Sequence, residues 1–173
     1  QAEDGIRDVE RSRGLGDVYK RQVMLGAGAT ARSVLAAAIG MGAGEAVVMS
    51  RSRERSTKIL KLADGLGIRV AWLPFESEPP RCNLIVSTVP AGSLIRRAED
   101  LAARANAVFD VVYDPWPTPL AVAGKIAGAT VIDGLDLLAG QAVGQVQLMT
   151  GYPVPMDVLR STAQNGLAEH ARL

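Results

Sequence analysis

The stretch VMLGAGATARSVLAAA, Val23 to Ala38, constrains this chain more than any other part of it. An apolar run enters Gly26-Ala27-Gly28 and passes without a break into an alanine-rich segment. A strand that ends in such a turn and opens a helix has the local geometry with which α/β folds hold a phosphate. Gly26 permits the tight turn, Gly28 lets backbone N–H groups approach an anion, and a small side chain at Ala31 lets the helix pack closely on its strand. The glycine spacing alone fits a plain strand–helix connection equally well.

Downstream, short β-rich runs alternate with helical stretches. Strands are predicted at 23–25, 46–50, 69–72, 84–87, 107–112 and 130–132, most of them apolar throughout, as in strands covered on both faces. Helices are predicted at 31–41, 53–65, 94–103 and 119–127, with Val34, Leu35, Ala38 and Ile39 on one face of the first. Two further helices, 135–149 and 156–168, follow the last strand and are separated by Gly151 and Pro153. The fold class this implies is α/β, a doubly wound parallel sheet with C-terminal helices.

A chain of 173 residues with 48% hydrophobic and 21% charged residues has the composition of one globular domain. Its net charge of +1 and 4% aromatic content argue against nucleic acid or an anionic membrane as a partner. No apolar run reaches the ~18 residues of a membrane span, and no signal core is visible. A single cysteine, Cys82, and a single histidine, His170, provide neither a disulfide framework nor a metal-ligand cluster, so we expect a cytoplasmic protein without a metal. Residues 1–22 mix acidic and basic side chains with glycines and offer no face to bury. We expect this segment to be a disordered tail, and it resembles translated adapter sequence foreign to the natural protein. Residues 23–173 then form the domain.

The second strand runs into VVMSRSRERS. Where an NAD-binding fold places an acidic residue for the ribose 2′-hydroxyl, this chain has Ser50, Arg51, Ser52, Arg53 and Arg55. Guanidinium groups beside hydroxyls suit a 2′-phosphate and so favour NADP over NAD; a solvated basic helix start is the structural alternative. The fourth strand leads into STVPAG, which sets Thr88 where it could bond a cofactor ribose or phosphate. The fifth leads into VVYDPWPTPL, a proline-rich loop carrying Tyr113 and Asp114, the latter read as a turn-former. Gln141 is a primary amide in an otherwise apolar helix, able to donate to and accept from a polyhydroxylated ring or to bond another helix.

From Val23 to Leu173 the chain resembles the NADP-binding, Rossmann-like C-terminal domain of the shikimate dehydrogenase family. GAGATARS is similar to that family's glycine loop, SRSRER to its Asn-Arg-Thr-x-x-Arg phosphate site, STVPAG to its Asn-Ala-Thr-x-x-Gly loop, and DGLDLLAGQA to its Gly-x-x-Met-Leu-x-x-Gln-Ala helix start. Asp136 stands where Gly is common and Leu137 where Met is usual. The resemblance implies that Gly26, Ala27, Gly28, Ala29, Thr30 and Ala31 form the pyrophosphate loop. It implies further that Ser50, Arg51, Ser52 and Arg55 form the 2′-phosphate site, and that Thr88 contacts the cofactor. Val111 and Gly134 would lie near the nicotinamide, and Tyr113 and Gln141 would touch shikimate.

The family's activity is reduction of 3-dehydroshikimate to shikimate with NADPH, a step in aromatic amino-acid biosynthesis. Its proton-transfer pair, a Lys and an Asp, sits on a separate N-terminal substrate domain. Lys20, Lys58, Lys61 and Lys125 are the lysines here, and none has that context. The resemblance therefore implies a cofactor domain with no catalytic residue of its own, acting on shikimate with a substrate domain outside this sequence, in an enzyme compatible with a homodimer. A quinate dehydrogenase domain and a non-catalytic NADP-binding module are the alternatives.

Overall fold

The computed structural model describes residues 21–170. Six strands, β1 (Arg21–Leu25), β2 (Glu45–Ser50), β3 (Arg69–Pro74), β4 (Cys82–Ser87), β5 (Ala105–Asp110) and β6 (Thr130–Ile132), form one sheet of order β3-β2-β1-β4-β5-β6. Every neighbouring pair is parallel. Helices α1 (Ala29–Gly40) and α2 (Thr57–Leu66) connect the β1–β3 half. A 3₁₀ turn (Ala91–Leu94), α3 (Ala98–Ala102) and α4 (Pro119–Ile126) connect the β4–β6 half. Two longer helices, α5 (Gly134–Thr150) and α6 (Met156–His170), close the chain. This is a Rossmann-like α/β fold.

Burial explains the apolar strands. Val23, Met24 and Leu25 of β1 are all fully buried because alternate residues feed two separate cores. Val23, Leu25, Val47, Met49, Ile85 and Val108 meet Leu94, Leu101 and Leu120 on one face. Met24, Ala46 and Val48 meet Ala31 and Leu35 of α1 and Ile59 and Ala63 of α2 on the other. Ala31 is small where helix and sheet close together, as the glycine-turn reading expected.

Several boundaries differ from expectation. β1 begins at Arg21, so Arg21 and Gln22 belong to the sheet, paired with Glu45 and Ala46, while residues 1–20 lie outside the described residues. The helix expected from residue 53 starts at Thr57 because the preceding arginines form a turn of their own. The helix expected over 94–103 is divided into the 3₁₀ turn and α3. Among the described residues no helix is long and apolar enough to cross a membrane.

Candidate functional site

Strands β1 and β4 are neighbours, with Leu25 opposite Ser87, yet the helices that follow them lie on opposite faces of the sheet. The chain must therefore diverge at their carboxyl ends, and a crevice opens there. It holds a cavity of about 460 Å³ lined by Gly26, Ala27 and Gly28, by Ser50, Arg51 and Arg55, and by Phe75, Thr88, Val89, Pro90 and Ser93.

Gly26 has φ of 105°, and a Cβ there would sit 2.5 Å from Thr88 Oγ1, so no other residue fits this turn. Gly28 is the N-cap of α1; it supplies no side-chain cap, and no acidic residue follows in the first turn. A Cβ on Gly28 would meet nothing within 4 Å. The free N–H groups of the helix start are thus left to an incoming anion, which the helix dipole also favours.

Arg51 and Arg55 reach this cavity from the turn after β2, and both are exposed. Among the described residues neither takes part in an ion pair. Ser50, by contrast, is buried, and its hydroxyl bonds Ser52 O at 2.9 Å, Ser56 Oγ at 2.6 Å and Trp72 Nε1 at 2.9 Å. Ser52 uses its oxygen on the N–H of Arg55, at 3.2 Å, and does not line the cavity. The two serines shape the turn, and the two arginines are what it presents. Thr88 donates its hydroxyl to Leu25 O at 2.8 Å, which leaves it able only to accept; a ribose hydroxyl suits it, and a phosphate oxygen does not.

Val111, Tyr113 and Gly134 come together at the end of β5. A Cβ on Gly134 would lie 2.4 Å from Val111 O and 3.0 Å from Tyr113 Cβ, so the first turn of α5 rests directly on the segment leaving the strand. A capping box fixes that helix start: Asp136 N donates to Asp133 Oδ1 at 2.8 Å, and Asp133 N donates to Asp136 Oδ2 at 3.0 Å. Arg160 of α6 spans both carboxylates, at 2.7 Å to Asp133 and 2.6 Å to Asp136. Partial burial disfavours the charge on Asp136, but the Asp133 N–H and Arg160 outweigh it and hold the carboxyl below its ordinary value.

Sequence reasoning missed Asp110, which anchors the proline-rich loop. Its carboxylate, buried at the end of β5, accepts from Thr118 Oγ1 at 2.8 Å and from Val112 N at 3.3 Å. Burial pushes its pKa up, with the Thr118 bond opposing. An Asp closing an apolar strand was the available signal. Asp114 is exposed, in keeping with a turn-former.

Gln141 and Leu137 line a second, larger groove of about 750 Å³ with Ala29 and Thr30. Ala29 and Thr30, placed in the pyrophosphate loop, thus line this groove and not the cavity at the glycine turn, the side chain of a third, Ala31, is core, and Gln141 is exposed, so what these three residues can offer that cavity is backbone N–H alone. Phe75, Val89, Pro90 and Ser93 were also missed. Phe75 carries the Arg97 guanidinium 5.4 Å above its ring. Lys58 and Lys61 are exposed on α2, Lys125 is exposed on α4, and Lys20 lies outside the described residues. Burial drives the Cys82 thiol up to about 12. Among the described residues no His, Cys, Asp and Glu cluster could hold a metal.

No family model matches the chain. It is 30% identical over 171 residues to the shikimate dehydrogenase (NADP(+)) of Methanocella arvoryzae, an alignment covering 94% of this chain and 62% of that protein. It is 31% identical over 165 residues to the same-named protein of Moorella thermoacetica, covering 89% and 56%. The crystal structure of Mycobacterium tuberculosis shikimate dehydrogenase superposes with a TM-score of 0.75 at 32% identity, over 82% of this chain and 56% of that one. The chain is a homologue of the shikimate dehydrogenases.

This shikimate dehydrogenase homologue spans 56–62% of the length of those curated relatives, consistent with the family's C-terminal NADP-binding domain alone. Its departure at Asp136 has a structural reason, since the side chain turns back onto Asp133 and Arg160. Leu137 lies on the groove side of α5 beside Gln141.

Proposed function

We propose that the chain is the NADP-binding half of a cytoplasmic shikimate dehydrogenase. The single observation that carries this reading is the joining of the glycine turn and two exposed arginines in one cavity at the sheet's divergence point. The donor set fits the cofactor: backbone N–H groups at the α1 start for the pyrophosphate, Arg51 and Arg55 for the 2′-phosphate, and the Thr88 oxygen for a ribose hydroxyl. Beyond the cavity, Val111, Tyr113 and Gly134 form the wall toward which the nicotinamide end would extend, with Gln141 farther along α5 for the substrate ring.

When bound, the cofactor would supply the redox chemistry, giving a hydride to a ring carbonyl as NADPH or taking one from a ring alcohol as NADP⁺. This chain's residues bind and orient it. Such a transfer also needs a group that exchanges the proton on oxygen, and the described lysines stand away from the cavity on α2 and α4. We assign that group, and most contacts to shikimate, to a part of the enzyme beyond the described residues.

Titration calorimetry with NADPH and NADH tests the reading. Two charge-assisted phosphate contacts contribute about 1.5–3 kcal/mol each, and the exposure of both arginines sets the sum near the lower end, a preference for NADPH of about two decades. Arg51→Ala should remove about half of it on the logarithmic scale. Equal affinities in the unaltered chain would refute the assignment.

A further inference from the structure

We propose that Trp72 is a positioning residue for cofactor choice, acting through Ser50 and Ser56 to fix the turn that presents Arg51 and Arg55; this rests on the NADP reading above. Trp72 lies on β3 opposite Val48, on the same face of the sheet as Ser50 two residues farther along β2. Its indole N–H donates to Ser50 Oγ at 2.9 Å across 22 residues of sequence.

Ser50 Oγ accepts from Trp72 Nε1, and its one proton is spent within the turn, on Ser52 O at 2.9 Å or on Ser56 Oγ at 2.6 Å, while the Ser56 hydroxyl also reaches Ser52 O at 3.3 Å. Ser50 is 6% exposed and Ser56 is fully buried, so water would not replace a partner lost from the set. Ser50 is thereby removed from the list of phosphate donors and becomes the hub that ties the turn to the end of β2. Further bonds complete the turn: Ser56 N to Arg53 O at 3.0 Å, and Arg55 N to Ser52 Oγ at 3.2 Å. Arg51 follows the hub directly and Arg55 precedes Ser56, so both arginines leave the backbone next to a pinned residue.

A mobile turn would spread the two guanidinium groups over many positions. The two-point grip that distinguishes a 2′-phosphate from a 2′-hydroxyl depends on their separation staying fixed. NADH lacks that phosphate and relies on the glycine turn, which Trp72 does not touch.

The test is the ratio of NADPH to NADH dissociation constants, with Trp72→Phe keeping the ring and removing the donor. Losing one buried bond to the hub should weaken NADPH about three- to ten-fold and leave NADH within about two-fold. Ser56→Ala, a smaller change that removes the other side-chain hydroxyl bonded to Ser50, should shift the ratio the same way, and it decides the matter if Trp72→Phe does not fold. An unchanged ratio, or equal weakening of both cofactors, would reduce Trp72 to a packing residue and overturn the proposal. No NADPH preference in the unaltered chain would overturn the cofactor reading itself, an outcome distinct from a preference that survives Trp72→Phe.

Discussion

Replacing Gly134 with alanine sets two effects of opposite sign against each other. Alanine in a helix gains up to about 1 kcal/mol over glycine, so a position free of neighbours would be stabilised. At Gly134 the new Cβ would sit 2.4 Å from Val111 O and 2.9 Å from Val112 C. Neither atom can swing aside, because the segment is held by Val111 N to Ser87 O at 3.1 Å and by Val112 N to the Asp110 carboxylate at 3.3 Å. Reaching an ordinary contact of about 3.5 Å requires α5 to retreat by roughly 1 Å. Overpacking of that kind costs about 1–3 kcal/mol, which outweighs the helix gain and lowers Tm by about 2–8 °C. Because Leu137 and Gln141 ride on the same helix, the retreat should also change the groove they line. Thermal unfolding by circular dichroism reads the first effect. A Tm equal to or above that of the unaltered chain would show that α5 does not rest on the β5 exit as described.

Two other perturbations probe the supports of the site. Arg160→Ala leaves the Asp133 and Asp136 carboxylates facing each other and should cost about 1 kcal/mol at pH 7, the modest figure reflecting partial exposure; in an Asp136→Gly background the loss should be smaller, as a double-mutant cycle by urea unfolding would show. Because the folded-state pKa of Asp136 is depressed, its contribution is complete above the unfolded value of about 4 and is lost as pH falls through the folded one. Stability curves of the Asp136→Asn chain should therefore fall less steeply in acid. Thr118→Val removes both the hydroxyl donated to Asp110 and the cap accepting from Ala121 N at 3.2 Å, at an expected cost of about 2–4 kcal/mol in the same unfolding assay.

Much of the architecture was legible because its cause is local. Residues 23–25 and 46–49 are apolar at consecutive positions, as in strands covered on both faces, and all six predicted strands are present. The glycine turn was equally plain, since Gly26 at φ 105° answers to a steric rule that sequence displays directly. What sequence hid depends on partners distant along the chain. Ser50 looked like a phosphate ligand because its hydroxyl was free on paper; Trp72, on another strand, takes up its capacity. Asp136 showed in the sequence only as a departure from a common Gly, because Arg160, which holds its carboxylate, lies 24 residues on. Asp110 escaped notice because an acidic residue closing an apolar strand gives no sign that Thr118 will meet it across the loop. The β1 boundary was placed two residues late because composition favours Val23 as a start, whereas pairing with Glu45 brings Arg21 into the sheet.

The central claim is that the crevice holds the 2′-phosphate and the pyrophosphate of NADP at once, on different groups of the same chain. Phosphorus-31 NMR reads both in one titration, because the 2′-phosphate and pyrophosphate resonances are separate. The 2′-phosphate and pyrophosphate signals should move together with one dissociation constant on adding the unaltered chain. With Arg51→Ala and Arg55→Ala combined, the 2′-phosphate signal should stay at its free position while the pyrophosphate signal still shifts at higher protein concentration. A 2′-phosphate signal that moves equally in both chains, or that never leaves its free position in the unaltered chain, would contradict the account.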